Sequence, residues 1–218
     1  MLLNADVRQR VVMNTRALPW AAADTPGLQR LLLERTAGEL PHATYLVRYA
    51  PGTRYPHHDH DLDEELLVLE GELADEAGRY AAGTYILNPR GSAHAPHSAG
   101  GCTLLVKLGW LPPSEGERRV VDTRNGNWQG PAEGVRRLSL FGARDGTNAY
   151  VSRFAPGARV PHHGHPGGEE LFVLEGEVRD ELGAYPAGTW IRQPHGSEHA
   201  PYSEAGALVL VRRGYLPQ

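Results

Sequence analysis

The 218-residue chain carries a single cysteine, Cys102, so no intrachain disulfide can form. No stretch approaches the roughly 20 apolar residues of a membrane helix. The opening segment, Met1-Leu2-Leu3-Asn4-Ala5-Asp6, has neither a basic region nor a long apolar run, so a cytoplasmic location is expected. There is also no basic run. Charged residues make up 22% of the chain with both signs interspersed and a net charge of −4, which speaks against nucleic acid as a partner. No convincing amphipathic helix can be found either.

What the chain does have is glycine and proline, 26 and 17 residues respectively, at regular intervals. They bound short runs rich in Val, Leu, Tyr and Thr, which read as strands. Residues 28–35 could form a helix by local propensity. Their counterpart, residues 135–141, alternates better and precedes a hairpin signal, Arg144-Asp145-Gly146. Both segments are therefore expected to be strands.

The strongest global feature is an internal repeat. Tyr45 through Pro112 aligns on Tyr150 through Pro217 at a constant offset of 105, without a gap. The leaders correspond as well, since Thr15-Arg16 and Trp20 recur as Thr123-Arg124 and Trp128. The expected organisation is a first domain over residues 1–112 and a linker plus second domain over 113–218, with the linker at about 111–120. Each half offers about eight to ten short strands and must close on itself to hide its edges. The fold class expected is all-β, with two tandem jelly-roll barrels.

The chemistry sits at Pro56-His57-His58-Asp59-His60, followed by Glu64 and His94. The set returns as Pro161-His162-His163-Gly164-His165, with Glu169 and His199. Two histidines one residue apart lie on the same face of a strand, because strand side chains alternate with period 2. Three neutral imidazoles and a carboxylate leave a divalent ion with net charge near +1 and with one or two open positions. Candidate ligands are therefore His58, His60, Glu64 and His94 in the first half and His163, His165, Glu169 and His199 in the second. Iron, manganese, nickel, cobalt and zinc all suit this set, at one ion per barrel. A lone buried histidine is usually structural, but these six stand in duplicated register. By alternation Glu65 and Glu170 face away from the site, and His57 and His162 face outward. Arg48, Arg153, Tyr45 and Tyr150 recur at matching positions and could line the barrel near a substrate anion or make structural ion pairs. Cys102 aligns with Ala207 and reads as a small buried residue.

These residues resemble the cupin superfamily. The first cupin motif, G-x5-H-x-H-x3,4-E-x6-G, fits Gly52, His58, His60, Glu64 and Gly71, and again Gly157, His163, His165, Glu169 and Gly176. The second motif fits Gly83, Pro89, Gly91 and His94, then Gly188, Pro194, Gly196 and His199, with Ser98 and Ser203 in place of its final Asn. The wording around them, including Asp75-Glu76-Ala77-Gly78 and Gly91-Ser92-Ala93-His94, is similar to the ChrR-like cupins, where the resemblance implies zinc. Anti-sigma factors of that type carry a separate helical zinc domain with an H-x3-C-x2-C signature. Here only a short leader precedes the first cupin half, so sigma-factor binding is not expected to carry over.

The halves are not chemically equal. Asp59, Asp61 and Asp63 become Gly164, Pro166 and Gly168, while Tyr85, His97 and Leu87 become Trp190, Tyr202 and Arg192. Three functions are compatible with this reading. One is a metal-dependent dioxygenase or related oxidoreductase acting on a small enolisable or aromatic ligand. Another is a ChrR-like sensor with a separate partner, and the third is a metal-binding module without turnover. Monomer and homodimer both fit.

Overall fold

The structure is a computed structural model that describes residues 2–39, 41–110, 117–143 and 145–217. Nearly all regular structure is antiparallel strand. The one helical turn among the described residues is the three-residue 3-10 helix Thr15–Ala17, and no helix is long and apolar enough to cross a membrane. Leu28–Arg35 and Val135–Gly142 are strands, in line with their alternation. Of the expected hairpin signal, Arg144 lies outside the described residues, while Gly146 takes φ +95° and its amide donates to the Ala143 carbonyl.

The chain forms two compact units, each a jelly-roll barrel. In the first, the main sheet runs Arg119–Asp122, Thr84–Asn88, Glu64–Asp75, Cys102–Leu108, Ala43–Tyr49, Leu28–Arg35, Ala21–Ala22. The second repeats that order as Val11–Asn14, Thr189–Gln193, Glu169–Asp180, Ala207–Arg213, Asn148–Phe154, Val135–Gly142, Gln129–Ala132. Even the irregularities recur. A bulge between Leu32 and Glu34 has its counterpart between Ser139 and Phe141.

The division differs from a cut between residues 112 and 113. The first unit comprises Met1–Ala5 and Pro19–Asn125, the second Asp6–Leu18 and Gly126–Gln218. The reason is strand pairing. Val11–Asn14 joins Thr189–Gln193 of the second barrel, and Arg119–Asp122 joins Thr84–Asn88 of the first. Of the linker expected at 111–120, residues 111–116 lie outside the described residues, and Arg119 and Val120 belong to a strand.

Inward-facing residues of alternate position fill each barrel. Leu28, Val47, Leu66, Val68, Leu73, Ile86, Leu104 and Val106 form the first core, and Val135, Phe154, Leu171, Val173, Val178, Ile191, Val209 and Val211 the second. Each buried side chain of this size contributes about 1.5–3 kcal/mol. The motif glycines Gly71 and Gly176 take φ +72° and +69°, and a Cβ there would collide with the carbonyl oxygens of Gly101 and Gly206. That close approach lets the long strands Glu64–Asp75 and Glu169–Asp180 bend around the barrel end.

Candidate metal centres

The strand Glu64–Asp75 begins at the proposed ligand Glu64, straight after the Asp61-Leu62-Asp63 turn. Glu64 and Leu66 line the barrel interior, whereas Glu65 faces the other way and accepts a hydrogen bond from the Tyr85 hydroxyl (2.7 Å). The short ladder of His58–Asp59 with Ala93–His94 sets His58 directly opposite His94. The second barrel repeats this, with His163 opposite His199 and Glu170 accepting from the Tyr215 hydroxyl at 3.0 Å.

The structure brings both expected sets together. In each cluster one donor atom per residue lies within 4.8 Å of all the others: His58, His60, Glu64 and His94, then His163, His165, Glu169 and His199. Glu64 Oε2 is 3.3 Å from His60 Nε2 and 3.5 Å from His94 Nε2. Glu169 Oε1 is 3.4 Å from His165 Nε2 and 3.3 Å from His199 Nε2.

The opposite edges of the rings are held in place. His58 Nδ1 meets the Pro56 carbonyl at 3.0 Å and His60 Nδ1 the Ser92 hydroxyl at 2.9 Å. His163 and His165 meet the Pro161 carbonyl and the Ser197 hydroxyl at 2.9 and 3.0 Å. Such outer contacts fix the tautomer and leave Nε2 toward the centre. The Nε2 atoms of His60, His94, His165 and His199, with Oε1 of Glu169, are buried without a hydrogen-bond partner. Buried polar atoms are rarely left so. Five of them around two points, in a donor set of imidazole and carboxylate, fit a divalent transition metal in each barrel.

Several supporting residues were not apparent from the sequence. Asp75 closes a turn, accepting from the amides of Ala77 (2.8 Å) and Gly78 (3.1 Å), and its Oδ2 lies 3.5 Å from His94 Nδ1. Asp180 does the same with Leu182 and Gly183, and its Oδ2 lies 3.3 Å from His199 Nδ1. The repeated Asp-Glu-x-Gly turn was the available signal. Arg118 pairs with Asp75 (2.8 Å) and donates to Asn88 (3.0 Å), which in turn donates to Glu64. Its equivalent, Arg10, donates to Tyr185 and Gln193 at 2.7 and 3.0 Å.

Electrostatics follow from these contacts. Burial alone would raise the Glu64 and Glu169 carboxyls, but the neighbouring imidazoles outweigh it and hold both below the usual carboxylate range. Burial pushes His94 down, and it pushes His165 down to about 4. At His199 burial acts in the same direction but is overcome by Asp180 and Glu169, which raise it to about 9.

Other expected positions sort plainly. His57 and His162 are exposed, and Cys102 is buried. Arg48 and Arg153 line neither of the cavities beside the clusters and make no ion pair among the described residues. They lie over the rings of Trp20 and Trp128, 4.2 and 4.7 Å from the centroids, a cation–π contact on the outer face.

A family model described as ChrR cupin-like domain matches residues 8–112 and again 116–217. The chain belongs to the ChrR cupin-like family. Among solved structures, a candidate dioxygenase from Nostoc punctiforme shares 17% identity at a TM-score of 0.77, covering 97% of this chain and 88% of that one. A bacterial pirin from Escherichia coli, in complex with nickel(II), shares 12% at 0.70 over 96% and 99%. A Bacillus subtilis oxalate decarboxylase variant shares 14% at 0.64 over 95% and 78%. At these identities the likeness shows the fold. No curated protein sequence matches.

The two cupin barrels differ sharply around their clusters. The first encloses a cavity of about 500 Å3 that opens on His58, His60, Glu64 and His94. The second leaves about 30 Å3 beside His163, Glu169 and His199, about the volume of one water molecule. At the position of the cavity-lining Leu108, the second cupin barrel has Arg213. Its Nε lies 3.7 Å from Glu169 Oε2 and its Nη2 donates to the Gly164 carbonyl at 2.8 Å. Of the differences expected between the halves, Asp59 and Asp61 line the first cavity, whereas Tyr85, His97 and Leu87 do not.

Proposed function

We propose that the first barrel is the active site of a metal-dependent dioxygenase-type oxidoreductase acting on a small enolisable or aromatic substrate, with His58, His60, Glu64 and His94 as metal ligands. The second set, His163, His165, Glu169 and His199, would hold a metal that stabilises its barrel without turnover. The observation that supports this assignment is the cavity of about 500 Å3 against the first cluster, within the roughly 300–1,000 Å3 of small-molecule sites.

When bound, a divalent transition metal supplies Lewis acidity and, in the case of iron, one-electron chemistry toward oxygen. The chain supplies position and an apolar wall. Asn88 holds Glu64, Asp75 faces His94, and Leu32, Leu66, Leu104, Val106 and Leu108 give the cavity an apolar wall. Cleavage of an enol carbon–carbon double bond by O2 places one oxygen atom on each carbon. It draws all four electrons from the substrate, so no separate reductant is required.

The test is oxygen uptake by iron(II)-loaded protein with a panel of β-diketones and phenols. Uptake that disappears in Glu64→Ala is expected. No uptake across the panel, or uptake unchanged in that variant, would overturn the assignment. A second reading, a small-molecule sensor working with a separate partner, draws support from the ChrR cupin-like match. Binding of the same compounds without oxygen uptake would favour it.

A further inference from the structure

Besides its apolar wall and its metal cluster, the first cavity is lined by two arginines, Arg30 and Arg35, both on the strand Leu28–Arg35. Side chains of one strand alternate, so residues five apart should face opposite ways. The bulge between Leu32 and Glu34 removes that difference and turns Arg35 to the side already occupied by Leu28, Arg30 and Leu32. Among the described residues neither guanidinium is paired with a carboxylate. Arg30 lies over the Tyr45 ring, 5.5 Å from its centroid, and both are exposed at the cavity edge. The second barrel keeps one arginine, Arg137 over Tyr150, but has Gly142 at the place of Arg35.

The charges in the cavity are segregated. Asp59 and Asp61 belong to the metal loop, whereas Arg30 and Arg35 stand on the third strand over from the one that carries Glu64. Arg35 stands level with Glu64 through Ala43 and Leu108, three interstrand steps of about 4.8 Å or roughly 14 Å along the sheet, whereas Arg30 stands farther along, level with Val68. With the reach of an arginine side chain subtracted, an apolar body about one aromatic ring long remains between metal and guanidinium.

Building on the proposed function, we infer that the first barrel takes a carboxylate-bearing substrate. Its anionic end is held by Arg30 and Arg35 at the cavity mouth, and its enol or phenol end is presented to the metal cluster. The acidic metal loop disfavours the reversed orientation. The two arginines therefore select for an anion and set which end reacts.

The test is calorimetric binding of para-hydroxyphenylpropanoate and its neutral analogue para-propylphenol to zinc-loaded protein, where no turnover occurs. The acid is expected to bind about tenfold more tightly, the effect of one charge-assisted contact. The preference should vanish in Arg30→Gln/Arg35→Gln and persist in Arg30→Lys, with metal content and melting temperature unchanged in both. Equal binding of the two probes to the native protein overturns the inference. So does a preference that survives the double glutamine variant, because the carboxylate would then be on the metal. Failure of acid to bind at millimolar concentration also overturns it. Oxygen uptake without acid preference would remove the anion subsite alone, and acid preference without oxygen uptake would remove the oxygenase assignment alone.

Discussion

The two barrels share a strand order, a bulge position and a donor set, yet one has room for a substrate and the other has room for a water. The cavity of about 500 Å3 in the first shrinks to about 30 Å3 in the second. At the place of the cavity-lining Leu108 the second barrel has Arg213. A leucine keeps to the wall, whereas the longer arginine crosses to Glu169 and the Gly164 carbonyl. Both copies thus keep a donor geometry that fits a metal, while a large cavity stands against the first cluster and a small one against the second. Ligand sets and substrate pockets are separable features of this fold.

The largest effect expected from breaking the comparison is at the carboxylate ligands. Glu64→Ala should lower oxygen turnover by roughly a thousandfold or more, as for a group that acts as a unit with its neighbours. Glu169→Ala should leave turnover within about threefold, because catalysis is proposed only in the first barrel. Each variant should lose one metal per chain by elemental analysis. Equal loss of turnover in both would show that the barrels are equivalent and the cavity difference is irrelevant. Exchanging the wall residue is the next step down. Leu108→Arg should weaken phenol binding about tenfold or more while metal content is retained, with about 1–3 kcal/mol lost to overpacking. Arg213→Leu should raise the phenol stoichiometry from one to two per chain, and a stoichiometry fixed at one would mean that something besides Arg213 closes the second barrel.

Much of this was legible in the sequence, and the parts that were not share a physical cause. His-x-His, the following Glu and the distant His could be placed because strand periodicity is local and the repeat supplies a second copy in register. Asp75 and Asp180 were visible only as part of a turn motif, since the approach of their free oxygens to His94 and His199 is a tertiary fact. The strand partnership was hidden for a different reason. Arg10–Arg16 and Arg118–Arg124 are near copies of one another, so either could complete either barrel. Only the pairing of Val11–Asn14 with Thr189–Gln193, and of Arg119–Asp122 with Thr84–Asn88, decides which does. Arg213 stood in the alignment as one substitution among many. Whether a guanidinium bends into a barrel or away from it depends on carbonyls and carboxylates brought near by distant strands. Arg48 and Arg153 show the opposite outcome, with tryptophan rings drawing them to the outside.

Smaller effects are expected from the acids behind the histidines. Asp75→Asn and Asp180→Asn should each weaken metal binding at their own site by about 10–100-fold, read by chelator competition. Acid should do the same to both centres. Protons compete with the metal for imidazole nitrogen, so affinity falls as pH falls, and metal should leave below roughly pH 6. Full metal content at pH 4 would contradict histidine ligation.

The smallest effect separates the two centres most finely. Asp75 is shared between Arg118 at 2.8 Å and His94 at 3.5 Å, whereas Asp180 stands 3.3 Å from His199 while Arg10 donates to Tyr185 and Gln193. An arginine on Asp75 reduces its pull on the imidazole. At His94 burial prevails and pushes it down, whereas at His199 Asp180 and Glu169 outweigh burial and raise it to about 9. Replacing Arg118 with methionine should let Asp75 act on His94 undiluted, raising its proton affinity. A proton then competes with the metal over a pH range where it formerly did not, so metal affinity at the first site should fall more steeply on acidification. The expected loss grows on acidification toward a limit of about threefold, corresponding to roughly half a pKa unit, and it should disappear as pH rises and His94 becomes neutral. The measurement belongs in the Glu169→Ala background, where only the first centre fills. Arg10→Met, measured against Glu64→Ala, should leave the slope at the second centre unchanged. A parallel response at both centres would mean that Arg118 and Arg10 act only by bracing the fold, and that the electrostatic difference between His94 and His199 arises elsewhere.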